Sequence, residues 1–210
     1  MAQDSRHGFS FWLLFNHDVF FLLILLVRSA GLQPGGNVIE NLWTQDNPEI
    51  EPWRTAPLPE LIAHIVGHYH LEARLEMARM ENLAAEAVLL EGASHPGLLE
   101  VREEIGQFCK AFRAHMAMEE HTLFPYLLDP AHPRPAGGSQ LMAPLVKLLE
   151  DEHQAETGLF RRLRTLSAAA LPPTGPRNLR SRMHHAFRVL EKSLQAHIFL
   201  ETQILFRRVL

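Results

Sequence analysis

His115-Met116-Ala117-Met118-Glu119-Glu120-His121-Thr122-Leu123-Phe124-Pro125 is the stretch whose reading decides the fold. It closes a run in which Val101, Ile105, Phe108 and Phe112 recur at three- and four-residue steps, the period of one helix face. On that face the next two inward places go to His115 and Glu119. Spaced i, i+4, these two side chains lie on the same side of a helix, about one turn apart. The pattern returns once: His197-x3-Glu201-x3-Leu205-Phe206 repeats His115-x3-Glu119-x3-Leu123-Phe124.

Working outward, the same period marks four helices. The first starts at Thr55 and Pro57, carries Val66, His70, Ala73, Met77, Met80, Ala84 and Ala87 on one face, and ends near Glu91-Gly92. The second opens at His95-Pro96 and is expected to stop at Phe124-Pro125. Asp129–Ser139, rich in proline and glycine, reads as a loop. The third helix carries Met142, Val146, Leu149, His153, Phe160 and Leu163. Pro172-Pro173-Thr174-Gly175-Pro176 breaks the chain again, and the fourth carries Leu190, Leu194, His197, Glu201 and Leu205. No strand-like alternation competes. The expected fold is all-α, an up-down-up-down four-helix bundle over residues 55–210, preceded by an apolar extension and linker over residues 1–54.

Each apolar stripe is broken by His or Glu, and the breaks fall at one level. His70 lies 13 residues after Pro57, His115 11 before Tyr126, His153 14 after Ser139, and His197 and Glu201 13 and 9 before the chain end. In an antiparallel bundle those ends are neighbours, so the six side chains converge within about a turn or two. The gaps His70–His115 and His153–His197 are 45 and 44 residues, so the chain reads as two similar helical hairpins. A single His on an apolar face is ordinarily a hydrogen-bonded core histidine. Six ionisable groups at one depth, in a repeated order, point instead to a metal site with His70, His115, Glu119, His153, His197 and Glu201 as candidate ligands. Two carboxylates able to bridge favour a pair of irons or manganese over zinc.

Other histidines do not fit this level. His64 and His68 fall opposite the stripe and are expected to be solvated, His121, His184 and His185 lie off the stripes, and His132 is in a loop. Glu91 lies 21 residues beyond His70, some ~32 Å along a continuous helix, so Glu91 and His95 belong to the helix end.

Composition bounds the remaining possibilities. A net charge of −4 and a pI near 6.3 leave no electrostatic footprint for nucleic acid. One cysteine, Cys109, builds neither an intrachain disulfide nor a Cys-rich zinc or iron–sulfur site. Residues 8–27 are apolar but interrupted by Asn16, His17 and Asp18, which disfavours a membrane association through this segment. A docking helix and a cytoplasmic location are the expectation.

Four blocks carry a family resemblance: Leu61-Ile62-Ala63-His64-Ile65-Val66-Gly67-His68-Tyr69-His70, His115 through Pro125, Asp151-Glu152-His153, and His197 through Phe206. Together, over about residues 43–207, they resemble the hemerythrin-like domain of the iron–sulfur cluster repair proteins, the repair-of-iron-centres family. The resemblance implies two non-haem iron ions in an oxo- or hydroxo-bridged di-iron centre. His70, His115, His153 and His197 would be terminal ligands and Glu119 and Glu201 bridges. It also implies a role in nitrosative and oxidative stress, with nitric oxide or dioxygen as small ligand, damaged iron–sulfur proteins as partners, and no residue singled out as catalytic. The alternative is an oxygen-binding carrier or a gas or redox sensor. Oxygen-carrying hemerythrins place a second His one turn after the first on the third helix, where this chain has Thr157. The family's usual N-terminal Cys-Cys-Gly-Gly stretch is matched only by Gln33-Pro34-Gly35-Gly36, Glu91 stands where many members have a His, and Arg207 replaces a Pro.

Overall fold

The computed structural model describes residues 49–130, 142–171 and 178–210. The apolar stretch at 8–27, the run Gln33 to Gly36, His132, and most of the two expected loops lie outside the described residues. Among the described residues the regular structure is helical, with no strand.

A short 3-10 turn, Glu51–Arg54, leads into helix α1, which runs Leu58–His64, passes through a π-helical turn Ile65–His70, and continues Leu71–Glu91. Helix α2 runs Gly97–Met118, a π turn Glu119–Leu123, and Phe124–Leu128. Helix α3 is Met142–Ala170. Helix α4 follows Asn178, which adopts a left-handed φ of 53°, and runs Leu179–Phe199, a π turn Leu200–Leu205, and Phe206–Val209. Asparagine is among the few residues that tolerate this conformation. Each helix packs on its neighbour in sequence, and α1 packs along α4, closing the four-membered ring of a bundle.

Two expectations about the helices change. Helix α2 does not stop at Phe124-Pro125 but continues to Leu128. Proline normally breaks a helix because it lacks an N–H for the i−4 carbonyl. Here the preceding residues form a π turn, so the i−4 ladder is already interrupted where Pro125 enters the new turn. Val66, expected on the inward face of α1, is only half-buried, whereas Ile65 is fully buried. The π turn inserts one residue, so counting back from His70 by the α period lands one position off.

His64 is a third difference. It is half-buried and stacks on Trp53 with ring centroids 3.8 Å apart, whereas His68 is exposed as expected. The indole comes from the 3-10 turn, ahead of the helix on which the face was counted. His121, His184 and His185 are exposed.

The core divides into two apolar clusters. One holds Met77, Met80, Ile105, Phe108, Phe112, Phe160, Phe187 and Leu190. The other holds Leu61, Ile65, Leu123, Phe124, Val146, Leu149, Leu200 and Phe206, and takes in Ile50, which is 1% exposed. The packed structure therefore reaches N-terminal of Thr55. Between the clusters, in all four helices, lie the His and Glu positions.

The first cluster carries stability, as Phe187 shows. It is 1% exposed and meets Phe160 edge-on at 5.5 Å. Phe187→Ala is expected to cost about 3–5 kcal/mol of unfolding free energy, read by chemical denaturation. A loss below about 1 kcal/mol would mean that the site collapses around the deletion.

Candidate metal centre

Six ionisable side chains occupy the layer between the clusters. His70 ends the π turn of α1, His115 and Glu119 come from α2, His153 from α3, and His197 and Glu201 from α4. All six are between 0 and 2% exposed. One donor atom from each of His115, Glu119, His153, His197 and Glu201 lies within 4.8 Å of all the others. His70 adjoins this group through Nε2, 3.4 Å from Glu119 Oε2 and 3.9 Å from Glu201 Oε1. The structure thus brings together every residue that the sequence singled out.

The two carboxylates divide their oxygens between pairs of imidazoles. Glu119 Oε1 is 3.3 Å from His115 Nε2, while its Oε2 faces His70 Nε2 and, at 3.9 Å, His197 Nε2. Glu201 Oε2 is 2.9 Å from His197 Nε2 and 3.1 Å from His153 Nε2, and its Oε1 turns to His70. His115 Nε2 and His153 Nε2 approach to 3.1 Å. Despite this crowding, His70 Nε2, His197 Nε2 and all four oxygens of Glu119 and Glu201 have no hydrogen-bond partner. Donor and acceptor atoms aim at common points rather than at one another. Buried polar atoms left this way are costly, and cations at those points would satisfy them. The residues present fit a metal.

Outside this layer further carboxylates hold the rings. His70 Nδ1–H donates to Glu120 Oε1 at 2.7 Å, and both Glu120 oxygens accept from Arg74, at 2.7 and 2.8 Å. His115 Nδ1–H donates to Glu152 Oε2 at 3.1 Å, with Glu156 Oε1 at 3.7 Å. Such outer acceptors fix the tautomer that leaves Nε2 free for a metal. His153 Nδ1 is buried without a partner. Thr157, the residue that replaces a histidine of the oxygen carriers, donates its hydroxyl to its own helix, at His153 O, 2.8 Å away.

Glu156 escaped the sequence reading. It is 4% exposed, and neither of its oxygens has a hydrogen-bond partner. The signal was present in the stripe of α3, which jumps seven residues from His153 to Phe160 and so omits one inward position. A glutamate three residues after a ligand is easily taken for surface charge. Glu91 and His95 lie at the far end of an unbroken α1, where they face each other at 3.4 Å. Cys109 is fully buried, and burial pushes its thiol up to about 12, so it offers no thiolate.

Among the described residues no helix is long and apolar enough to cross a membrane. A four-helix bundle with a buried His/Glu centre defines the class of protein. Residues 61–209 match the family model of the hemerythrin HHE cation binding domain, and the chain belongs to that family. It is also similar to the iron–sulfur cluster repair protein YtfE of Escherichia coli O81 (strain ED1a), with 28% identity over 172 residues, 79% of this chain and 72% of the relative. The same protein of Escherichia coli O1:K1 / APEC and of Escherichia fergusonii matches to the same extent.

Without metal the site is held together by protons. Burial alone would lower the His70 pKa, but the Glu119 and Glu201 carboxylates more than offset it and raise it to about 10. His115 is likewise raised, against burial, by Glu119 and Glu156. Glu119 and Glu201 are lowered: burial would raise both, but the histidines around them outweigh it. His197 is lowered by burial. A histidine with a raised pKa contributes stability that is complete below about 6.5 and lost as pH rises through the folded value. The lowered groups contribute stability above their ordinary pKa values that is lost on the acid side. The metal-free protein should therefore lose thermal stability between about pH 7 and pH 10, through His70 and His115. A metal held by these rings would replace the protons, so the loaded protein should not show this alkaline loss. Parallel melting temperatures against pH check it, and identical alkaline slopes for the two forms would refute it.

Proposed function

We propose that this chain binds two iron ions in the buried layer and supports the restoration of damaged iron–sulfur centres, with nitric oxide as a small ligand of the reduced site. The observation that supports the two-ion reading is that both carboxylates stand between the imidazoles: Glu119 turns Oε1 to His115 and Oε2 to His70 and His197, while Glu201 turns Oε2 to His153 and His197 and Oε1 to His70. His115 and His153 would hold one ion and His70 and His197 the other, with both carboxylates bridging. Nitrogen and carboxylate donors of this kind suit iron or manganese. The family membership and the cluster-repair name of the relatives favour iron.

Two ferrous ions supply open positions for a diatomic ligand and a store of exchangeable iron. The protein residues do the rest. Four histidines and two carboxylates leave the ligand shell unsaturated, and Thr157, its hydroxyl turned to the α3 backbone, adds no donor. The apolar clusters on both sides exclude water from the layer. Glu120 and Glu152 keep the Nδ1 protons of His70 and His115, so those rings present unprotonated Nε2 to the ions. A less saturated shell favours ligand capture and iron release over reversible oxygen carriage.

Purified protein should contain about two irons per chain. Glu119→Ala and Glu201→Ala should each lose the two-iron stoichiometry, and Glu91→Ala should keep it, by metal analysis with circular dichroism to verify folding. The reduced protein should bind nitric oxide under anaerobic conditions, followed by absorption and electron paramagnetic resonance. One zinc per chain after expression in adequate iron would end this reading. A long-lived oxygen adduct that releases oxygen under argon would replace repair with carriage.

A further inference from the structure

The two halves of the centre are backed differently. Behind His70 stands Glu120, whose oxygens are both engaged by the Arg74 guanidinium. Arg74 and Glu120 are 38 and 17% exposed at their side chains, so this backing is neutralised and reaches water. Behind His115 stand two carboxylates, Glu152 and Glu156, 11 and 5% exposed at theirs. They are one turn apart on α3, and Glu156 has no hydrogen-bond partner at either oxygen. Away from water, an unneutralised carboxylate acts on a nearby cation far more strongly than one already paired with arginine. Glu156 also faces His115 from the same helix that carries His153.

From this asymmetry, and resting on the two-iron reading above, we propose that the centre has a retained and an exchangeable half. The His115/His153 half, backed by Glu152 and the buried Glu156, keeps its ion. The His70/His197 half, backed by the solvent-facing Glu120–Arg74 pair, exchanges its ion with the surroundings. Exchange there breaks the bonds of one ferrous ion to His70 Nε2, His197 Nε2 and one oxygen each of Glu119 and Glu201. No electron is transferred: the ion would leave as it was bound, as iron(II), for the sulfur donors of the acceptor, and protons from solvent would take its place on the vacated ligand atoms. Glu156 is thus a positioning residue, acting on the metal through the His115 ring rather than touching it. The exchangeable half would be the source of iron for a damaged cluster, while the retained ion keeps the buried layer satisfied.

The test is anaerobic release of iron from the di-ferrous full chain to excess ferrozine, followed by the absorbance of the chelate. Two phases of equal amplitude are expected, one iron each. Glu156→Gln, which keeps the side-chain volume, should speed the slow phase by about 10-fold or more while leaving the fast phase in place. Glu120→Gln should speed the fast phase and leave the slow one. Because a buried substitution can unfold the chain, Glu152→Gln, at a position nearer the surface, serves as a second probe of the slow phase. A single phase for both irons, or a fast phase accelerated by Glu156→Gln, would overturn the proposal while leaving the two-iron reading intact. A protein that binds only one iron before chelation would instead overturn the reading on which it rests.

Discussion

Four imidazoles and three carboxylates are buried in the middle of an otherwise apolar bundle, and the rest of the structure answers to that arrangement. Ionised groups in such surroundings carry a desolvation penalty of several kcal/mol each, which only close countercharges offset. These side chains lie close together, yet Glu119 and Glu201 within the layer, and Glu156 behind His115, have no hydrogen bond at either oxygen. Protons on His70 and His115 offset part of the penalty in the metal-free chain. Cations remove it more completely, because one ion satisfies several donors at once. The apolar clusters on either side keep the layer in register: the ring of Phe112 lies 5.8 Å from His197 and that of Phe206 lies 6.3 Å from His153.

The demands of this layer show in the backbone. Three of the four helices pass through a π turn at its level, Ile65–His70, Glu119–Leu123 and Leu200–Leu205, and each turn contains one of the converging side chains. A π turn costs hydrogen-bond geometry and is found mostly at functional sites. It also adds a residue, so that two adjacent positions both face inward. Leu123 with Phe124, and Leu200 with Glu201, are buried in this way. The extra residue lets a polar side chain point at the centre while the apolar stripe resumes beyond it.

That is also why the sequence was legible in most places and not in others. The stripes of α2, α3 and α4 keep the α period up to the layer, and so Phe112, Leu149 and Leu190 could be placed inside from spacing alone. The level of His70, His115, His153, His197, Glu119 and Glu201 followed from counting, because an added residue near a helix end moves a side chain by less than a turn. Val66 and the end of α2 went astray where a π turn shifts the count, which no hydropathy period announces. His64 was misjudged because the Trp53 ring that covers it comes from another element. Glu156 was missed for a chemical reason. A carboxylate on an inward face contradicts burial rules unless a cation is assumed there, and the ligand set had already been filled by the repeated motif.

Charge counting around the layer gives Glu156 a further meaning under the two-iron reading. Two ferrous ions bring four positive charges into a site where the four histidines, bound through Nε2, are neutral. Glu119 and Glu201 balance half of that charge from within the layer. Glu120 does not count, since Arg74 neutralises it. Glu152 and Glu156 supply the other half from behind His115. On that reading the reduced state would be electrically balanced by the protein's own carboxylates. Burial pushes Glu156 up to about 7 in the metal-free chain, so it is the carboxylate most easily neutralised when the positive charge departs. Loss of one ferrous ion would remove two positive charges, and a proton at Glu156 would replace one of them. On the two-iron reading, a charge set of this kind would favour the divalent form of iron.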